Sequence, residues 1–122
     1  MTWLALCLAG GLGAVVRYLV DAVVNARVKS ALPLGAMLVN VTGSLVLGLL
    51  TGLVAGGSVA WLRVVGTGFL GGYTTFSTAM VESARLWREG RRRAACWHAA
   101  LNLGLSLLAA SSGLALGSLF AR

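Results

Sequence analysis

The chain has 122 residues, of which 58% are apolar and 11% charged, with a mean hydropathy of +0.89. Soluble domains carry about 25% charged residues, so this composition excludes a water-soluble globule and points to lipid. The formal charge of +7 would suit a nucleic-acid partner. However, the excess gathers at Arg85, Arg88, Arg91, Arg92 and Arg93, between two apolar stretches. That is the pattern of a cytoplasmic juxtamembrane loop, so no nucleic acid is expected.

At roughly 20 residues per span, the length accommodates four membrane helices and no separate soluble domain. The predicted fold is all-α: one four-helix transmembrane domain over 1–122, with helices at about 2–24, 33–55, 61–87 and 94–120. No basic segment precedes the first apolar run, which continues to Arg17, so a cleaved signal peptide is not expected.

In the first helix Gly10, Gly11, Gly13 and Ala14 crowd together before Arg17. Arg17 is placed near the cytoplasmic end, where it either snorkels to the headgroups or lures an anion to an entrance. Pro33 suits the first turn of the second helix, because its missing N–H costs nothing there. Ala36, Asn40, Ser44, Gly48 and Gly52 then form an i, i+4 stripe; small residues at this spacing let helices approach closely in lipid. Asn40 stands apart, since an amide inside an apolar span needs a partner or water. Gly56-Gly57-Ser58 reads as a tight turn.

The third stretch contains Gly66-Thr67-Gly68-Phe69-Leu70-Gly71-Gly72-Tyr73-Thr74-Thr75-Phe76-Ser77-Thr78, with four glycines, five Ser/Thr hydroxyls and a Tyr. A membrane helix is broken only where its freed backbone groups find partners, and such breaks bind ions in channels and transporters. Unwinding at Gly71 and Gly72 would free carbonyls between Gly71 and Thr74, hard ligands suited to Na⁺, or else the glycines serve packing alone. Phe76 either packs or turns the positive edge of its ring toward an anion. Glu82 has Arg85 at i+3, giving a surface ion pair by default or a vestibule group. Gly90 is a plausible helix terminator.

On the fourth helix His98, Asn102 and Ser106 share one face. They either bond between helices or, with Asn40, Ser77 and Thr78, offer donors that replace an anion's water shell. Ala109, Gly113 and Gly117 form a second small-residue stripe. Cys7 and Cys96 read as buried free thiols. Short loops force adjacent helices antiparallel, leaving Arg63 and Arg122 on one side and Arg27, Lys29 and the five arginines on the other. Both termini are therefore expected outside, and loops one and three in the cytoplasm. No carboxylate pair, Ser–His–Asp grouping or zinc ligand set is present, so no enzyme is expected.

The ordered blocks Gly10-Gly11-Leu12-Gly13-Ala14-Val15-Val16-Arg17-Tyr18, Pro33-Leu34-Gly35 leading to Val39-Asn40-Val41-Thr42-Gly43, Gly68 to Thr78, and Glu82 resemble the Fluc (CrcB) family of fluoride channels over nearly the whole chain. The resemblance implies a passive, fluoride-selective channel of the bacterial plasma (inner) membrane, exporting F⁻ down its gradient. It also implies an antiparallel dimer with two pores and a structural Na⁺ at its centre. By the same resemblance Gly71 and Thr74 hold the Na⁺. Asn40, Phe76, Ser77, Thr78, Asn102 and Ser106 line the pore, while Arg17, Glu82 and His98 fall in its vestibules. One departure stands out: the family's second Phe, three residues after the first, is Ala79 here. A dual-topology homodimer needs balanced loops, so the charge bias favours pairing with a related chain of opposite orientation, and Ala79 supports the alternative of a half-active or non-conducting partner subunit. A small multidrug-type proton antiporter would need a carboxylate deep in the first helix, and residues 2–20 contain none.

Overall fold

The computed structural model describes residues 2–54 and 60–121. The Gly56-Gly57-Ser58 turn and Arg122 lie outside the described residues. Among the described residues there are helices and connecting loops but no strand. Helix α1 is Thr2–Arg27, α2 is Gly35–Leu53, α4 is Phe76–Arg88 and α5 is Arg92–Phe120. We label as α3 the helical run 60–73, whose central part, Arg63–Leu70, is wound as π-helix. Helices α1, α2 and α5 are long and apolar enough to cross a membrane.

Glycine contacts at two helix pairs set the packing. Helices α2 and α5 lie so close that a Cβ at Gly48 would collide with the Ala110 carbonyl, and one at Gly113 with that of Leu45. The two small-residue stripes are therefore a packing seam within the subunit, the close approach that small side chains permit in lipid. Helix α1 meets α3 in the same way, since a Cβ at Gly72 would strike the Gly10 carbonyl and one at Gly13 that of Phe69.

Several local expectations are corrected. Pro33 is not in the first turn of α2, which begins at Gly35. The Gly35 N–H is taken by Asn25 Oδ1 at 3.0 Å, and Asn25 also bonds Asp21. Gly71 and Gly72 are not the point of unwinding: the described residues have positive φ only at Gly90, and Gly71 is helical at φ −63°, ψ −35°. The chain extends instead at Thr74 (φ −75°, ψ 155°) and Thr75 (φ −150°, ψ 123°). Gly72 serves close approach rather than bending. Cys7 and Cys96 are exposed on helix surfaces, because an outward face against lipid is as apolar as a core.

Gly90 does terminate α4, at φ 80°. Arg91 N–H bonds the Leu86 carbonyl at 3.0 Å and Gly90 N–H that of Trp87 at 3.1 Å, the paired bonds of a glycine C-cap. Arg91 also donates to the Ala31 carbonyl. The loop between α1 and α2 and the loop between α4 and α5 therefore share one end of the molecule, as their common basic character requires.

Candidate functional site

The extended pair Thr74–Thr75 would leave backbone groups unpaired, and Asn40 answers for Thr75. The Thr75 N–H donates to Asn40 Oδ1 at 2.7 Å, while Asn40 Nδ2 donates to the Thr75 carbonyl at 2.7 Å. A backbone N–H can only donate, so this bond fixes the orientation of the Asn40 amide. Its second N–H then points to Asn102 Oδ1, 3.1 Å away. Asn40 thus spends its amide oxygen and both amide hydrogens on protein, and it is buried at 7% exposure.

Thr75 caps α4 in turn, its Oγ1 accepting from Thr78 N–H at 3.2 Å. Its hydroxyl lies 3.3 Å from that of Ser77 and 3.1 Å from that of Thr78, and Arg17 Nη1 reaches Thr78 Oγ1 at 3.3 Å. Arg17 is consequently not a residue at the helix end. Helix α1 continues to Arg27, about 15 Å further on, and Arg17 joins α1 to the first turn of α4. Its Nε is buried with no partner.

The same diversion of N–H groups frees carbonyls. In an uninterrupted helix the Gly71 carbonyl would accept from Thr75 N–H and the Thr74 carbonyl from Thr78 N–H. Those donors go instead to Asn40 and to the Thr75 hydroxyl. These two are among the hard oxygen acceptors released beside the break, a ligand type that suits a small cation.

A groove of about 660 Å³ runs between α4 and α5, past Asn40, Thr74, Thr75, Phe76, Met80, Asn102, Leu103 and Ser106. No carboxylate or cation lines it. Asn102 lends its Oδ1 to Asn40, and its amide hydrogens have no protein partner among the described residues. Ser106 Oγ, one turn further along α5, is buried without any partner. Phe76 stands at the groove 76% exposed. The unspent side-chain groups of the groove are therefore Asn102 Nδ2 and Ser106 Oγ, on one helix face opposite an aromatic ring.

The structure brings Asn40, Thr74, Phe76, Asn102 and Ser106 to this groove, but not Ser77, Thr78, Gly71, Arg17, Glu82 or His98. His98 is fully buried. Its Nδ1 lies 2.9 Å from Ser83 Oγ and its Nε2 is 3.0 Å from the Pro33 carbonyl. That is interhelical bonding, the plainer of the two readings of its place on α5. Glu82 does not pair with Arg85. One of its oxygens lies 3.6 Å from His98 Nε2 and makes no hydrogen bond. It borders a separate polar pocket of about 320 Å³ with Asn25, Ser30, Arg85 and Arg91. Ala79 is fully buried, whereas Phe76, three residues before it on α4, is exposed. Sequence reasoning missed Thr75, whose hydroxyl and backbone organise the break. The signal was a threonine immediately before the helical run that starts at Phe76, an N-cap position. It also missed Tyr73, whose hydroxyl lies 3.0 Å from that of Thr42.

A model of the family described as "CrcB-like protein, Camphor Resistance (CrcB)" matches residues 4–114. The chain is 48% identical over 118 residues to a protein of Leifsonia xyli named fluoride-specific ion channel FluC 1, covering 95% of this chain and 86% of that one. It is 49% identical over 121 residues to fluoride-specific ion channel FluC 2 of Cutibacterium acnes, covering 97% and 98%. It is 50% identical over 123 residues to fluoride-specific ion channel FluC 1 of Symbiobacterium thermophilum, covering 96% and 98%.

Proposed function

The chain belongs to the CrcB-like family and is a multi-pass bacterial membrane protein, and from that premise we propose that it is a subunit of a fluoride-selective channel. The observation that carries the proposal is the groove between α4 and α5. It holds two unspent donors, Asn102 Nδ2 and the buried Ser106 Oγ, a Phe76 ring and no carboxylate. A dehydrated anion needs donors in place of its water, and a cation would find no charged ligand there. Phe76 offers the positive edge of its ring at the same groove. Nothing in this route requires a chemical step, so the protein is a passive channel and not an enzyme. Fluoride leaves the cytoplasm down its gradient.

In this reading α3 and α4 form one membrane span interrupted at Thr74–Thr75, the third of four in a single domain. Two such subunits pair antiparallel. The carbonyls of Gly71 and Thr74 from each would hold a Na⁺ at the centre, whose charge would fix the two breaks against each other. Ser77, Thr78 and Arg17 would extend the donor path on the far side of the break, and Glu82 would stand in a vestibule. His98 would brace the vestibule wall rather than touch the ion.

The charge bias supports a second assembly. By the sequence count, with Arg17 set aside, seven basic residues flank the first and third loops against two, Arg63 and Arg122, on the other side. Insertion in both orientations is then disfavoured, which favours a heterodimer with a related chain of opposite bias. Fluoride and chloride efflux from liposomes holding this chain alone tests both points. Fluoride efflux without chloride efflux supports a homodimeric channel. Silence that a related partner chain relieves supports the heterodimer, and equal efflux of both ions overturns the proposal.

A further inference from the structure

A second groove, of about 450 Å³, lies at the basic end of the molecule between the last turn of α4 and the first turns of α5. Trp87, Cys96, Trp97 and Ala100 make its wall, and Arg92 and Arg93 border it. The guanidinium of Arg92 is held 5.3 Å above the Trp87 ring. Arg91 and Glu89 pair with each other, but among the described residues neither Arg92 nor Arg93 lies within ion-pair distance of a carboxylate. Trp87 and Trp97 are 50% and 61% exposed. We propose that this groove is a binding site for one anionic phospholipid of the cytoplasmic leaflet, its phosphate held by Arg92 and Arg93 and its acyl chain laid along Trp97, Cys96 and Ala100.

Three features select this occupant. Exposed Trp beside Arg at the end of an apolar span marks the headgroup level of a bilayer. The groove is apolar along the span and cationic at its rim, the charge pattern of a phospholipid with a negative headgroup. The neighbouring groove shares Cys96 and Ala100 but carries no cation, so nothing there would retain a phosphate. Cover by a partner subunit fits less well, because interface cores are depleted of unpaired charge. The inference rests on the membrane setting and on the orientation proposed from the charge bias, and does not depend on which ion the channel passes.

The test uses a full-length protein carrying Trp3→Phe and Trp61→Phe, so that emission comes from Trp87 and Trp97 alone. It is reconstituted in phosphatidylcholine vesicles containing a small fraction of either brominated phosphatidylglycerol or brominated phosphatidylcholine. Brominated phosphatidylglycerol is expected to quench at a fraction on the order of tenfold lower than brominated phosphatidylcholine, given two arginines at the surface. The double substitution Arg92→Gln and Arg93→Gln should remove that preference while both lipids still quench. Arg92→Lys with Arg93→Lys should retain part of it, since charge survives. Equal quenching by the two lipids in the protein with both arginines would overturn the proposal. So would absence of quenching by either, which would mean that a partner subunit covers the groove. Displacement by soluble glycerol phosphate would also overturn it, showing a phosphate site rather than a lipid site.

Discussion

Asn40→Ala tests whether the buried amide of α2 is a clamp or a ligand. The side chain makes three bonds, two to the backbone of Thr75 at 2.7 Å and one to Asn102 at 3.1 Å. At about 1 kcal/mol net for each, their loss costs about 3 kcal/mol. Thr75 sits in the gap between two helices and has no other partner for its N–H. Three kilocalories correspond to roughly a hundredfold shift in a folding equilibrium. Asn102→Ala removes one bond of the three and leaves the Thr75 backbone held, so it should cost about 1 kcal/mol. The two variants are compared by thermal unfolding in detergent and by fluoride efflux from liposomes. The clamp predicts that Asn40→Ala lowers stability well beyond Asn102→Ala, while Asn102→Ala loses efflux in excess of its small loss of stability. An Asn40→Ala protein as stable as the unmutated one but unable to conduct would refute the reasoning, because the amide would then act on the ion.

Ser106→Ala deletes a buried hydroxyl that has no protein partner, so unfolding should be unchanged or slightly harder. Efflux should fall roughly tenfold or more if the hydroxyl donates to an anion. Thr75→Ala should destabilise by about 1 kcal/mol through loss of the α4 cap, and Thr75→Ser should restore it, both read by thermal unfolding. Gly113→Ala drives a methyl into the Leu45 carbonyl; a loss of about 1–3 kcal/mol is expected, visible as aggregation on size-exclusion chromatography. Ala79→Phe should likewise destabilise the isolated subunit, since that site is fully buried, rather than restore a pore ring.

The long helices were legible because apolar runs and small-residue stripes state their length and packing face directly. Gly48 and Gly113 belong to stripes visible in the sequence, and each meets a backbone carbonyl across the α2–α5 seam. The break was legible as a segment but not as a residue. Glycines suggest bending, yet Gly72 is small because α1 passes against it, and the chain turns extended at two threonines. What decides between those readings is the partner of Thr75 N–H, an amide 35 residues earlier. No local pattern carries that information. The His98–Asn102–Ser106 face was legible by spacing, but a helix face spans several environments along its length. The α5 end near Pro33 is sealed by the loop between α1 and α2, so His98 bonds inward. Asn102 and Ser106 lie beyond that seal, at the groove.

The break and the groove between α4 and α5 are coupled through a single amide. Asn40 holds the Thr75 backbone on one side and orients Asn102 on the other. Because its oxygen must face the Thr75 N–H, its nitrogen must face Asn102. The Asn102 oxygen is thereby consumed, and its side chain presents only N–H donors to the groove. Had the break closed into regular helix, Thr75 N–H would return to the Gly71 carbonyl. Asn40 would then be free to turn, and the groove could present an amide oxygen, which repels an anion. The released carbonyls at Gly71 and Thr74 and the donor character of Asn102 are thus two consequences of one extended dipeptide. A subunit that lost the first would lose the second.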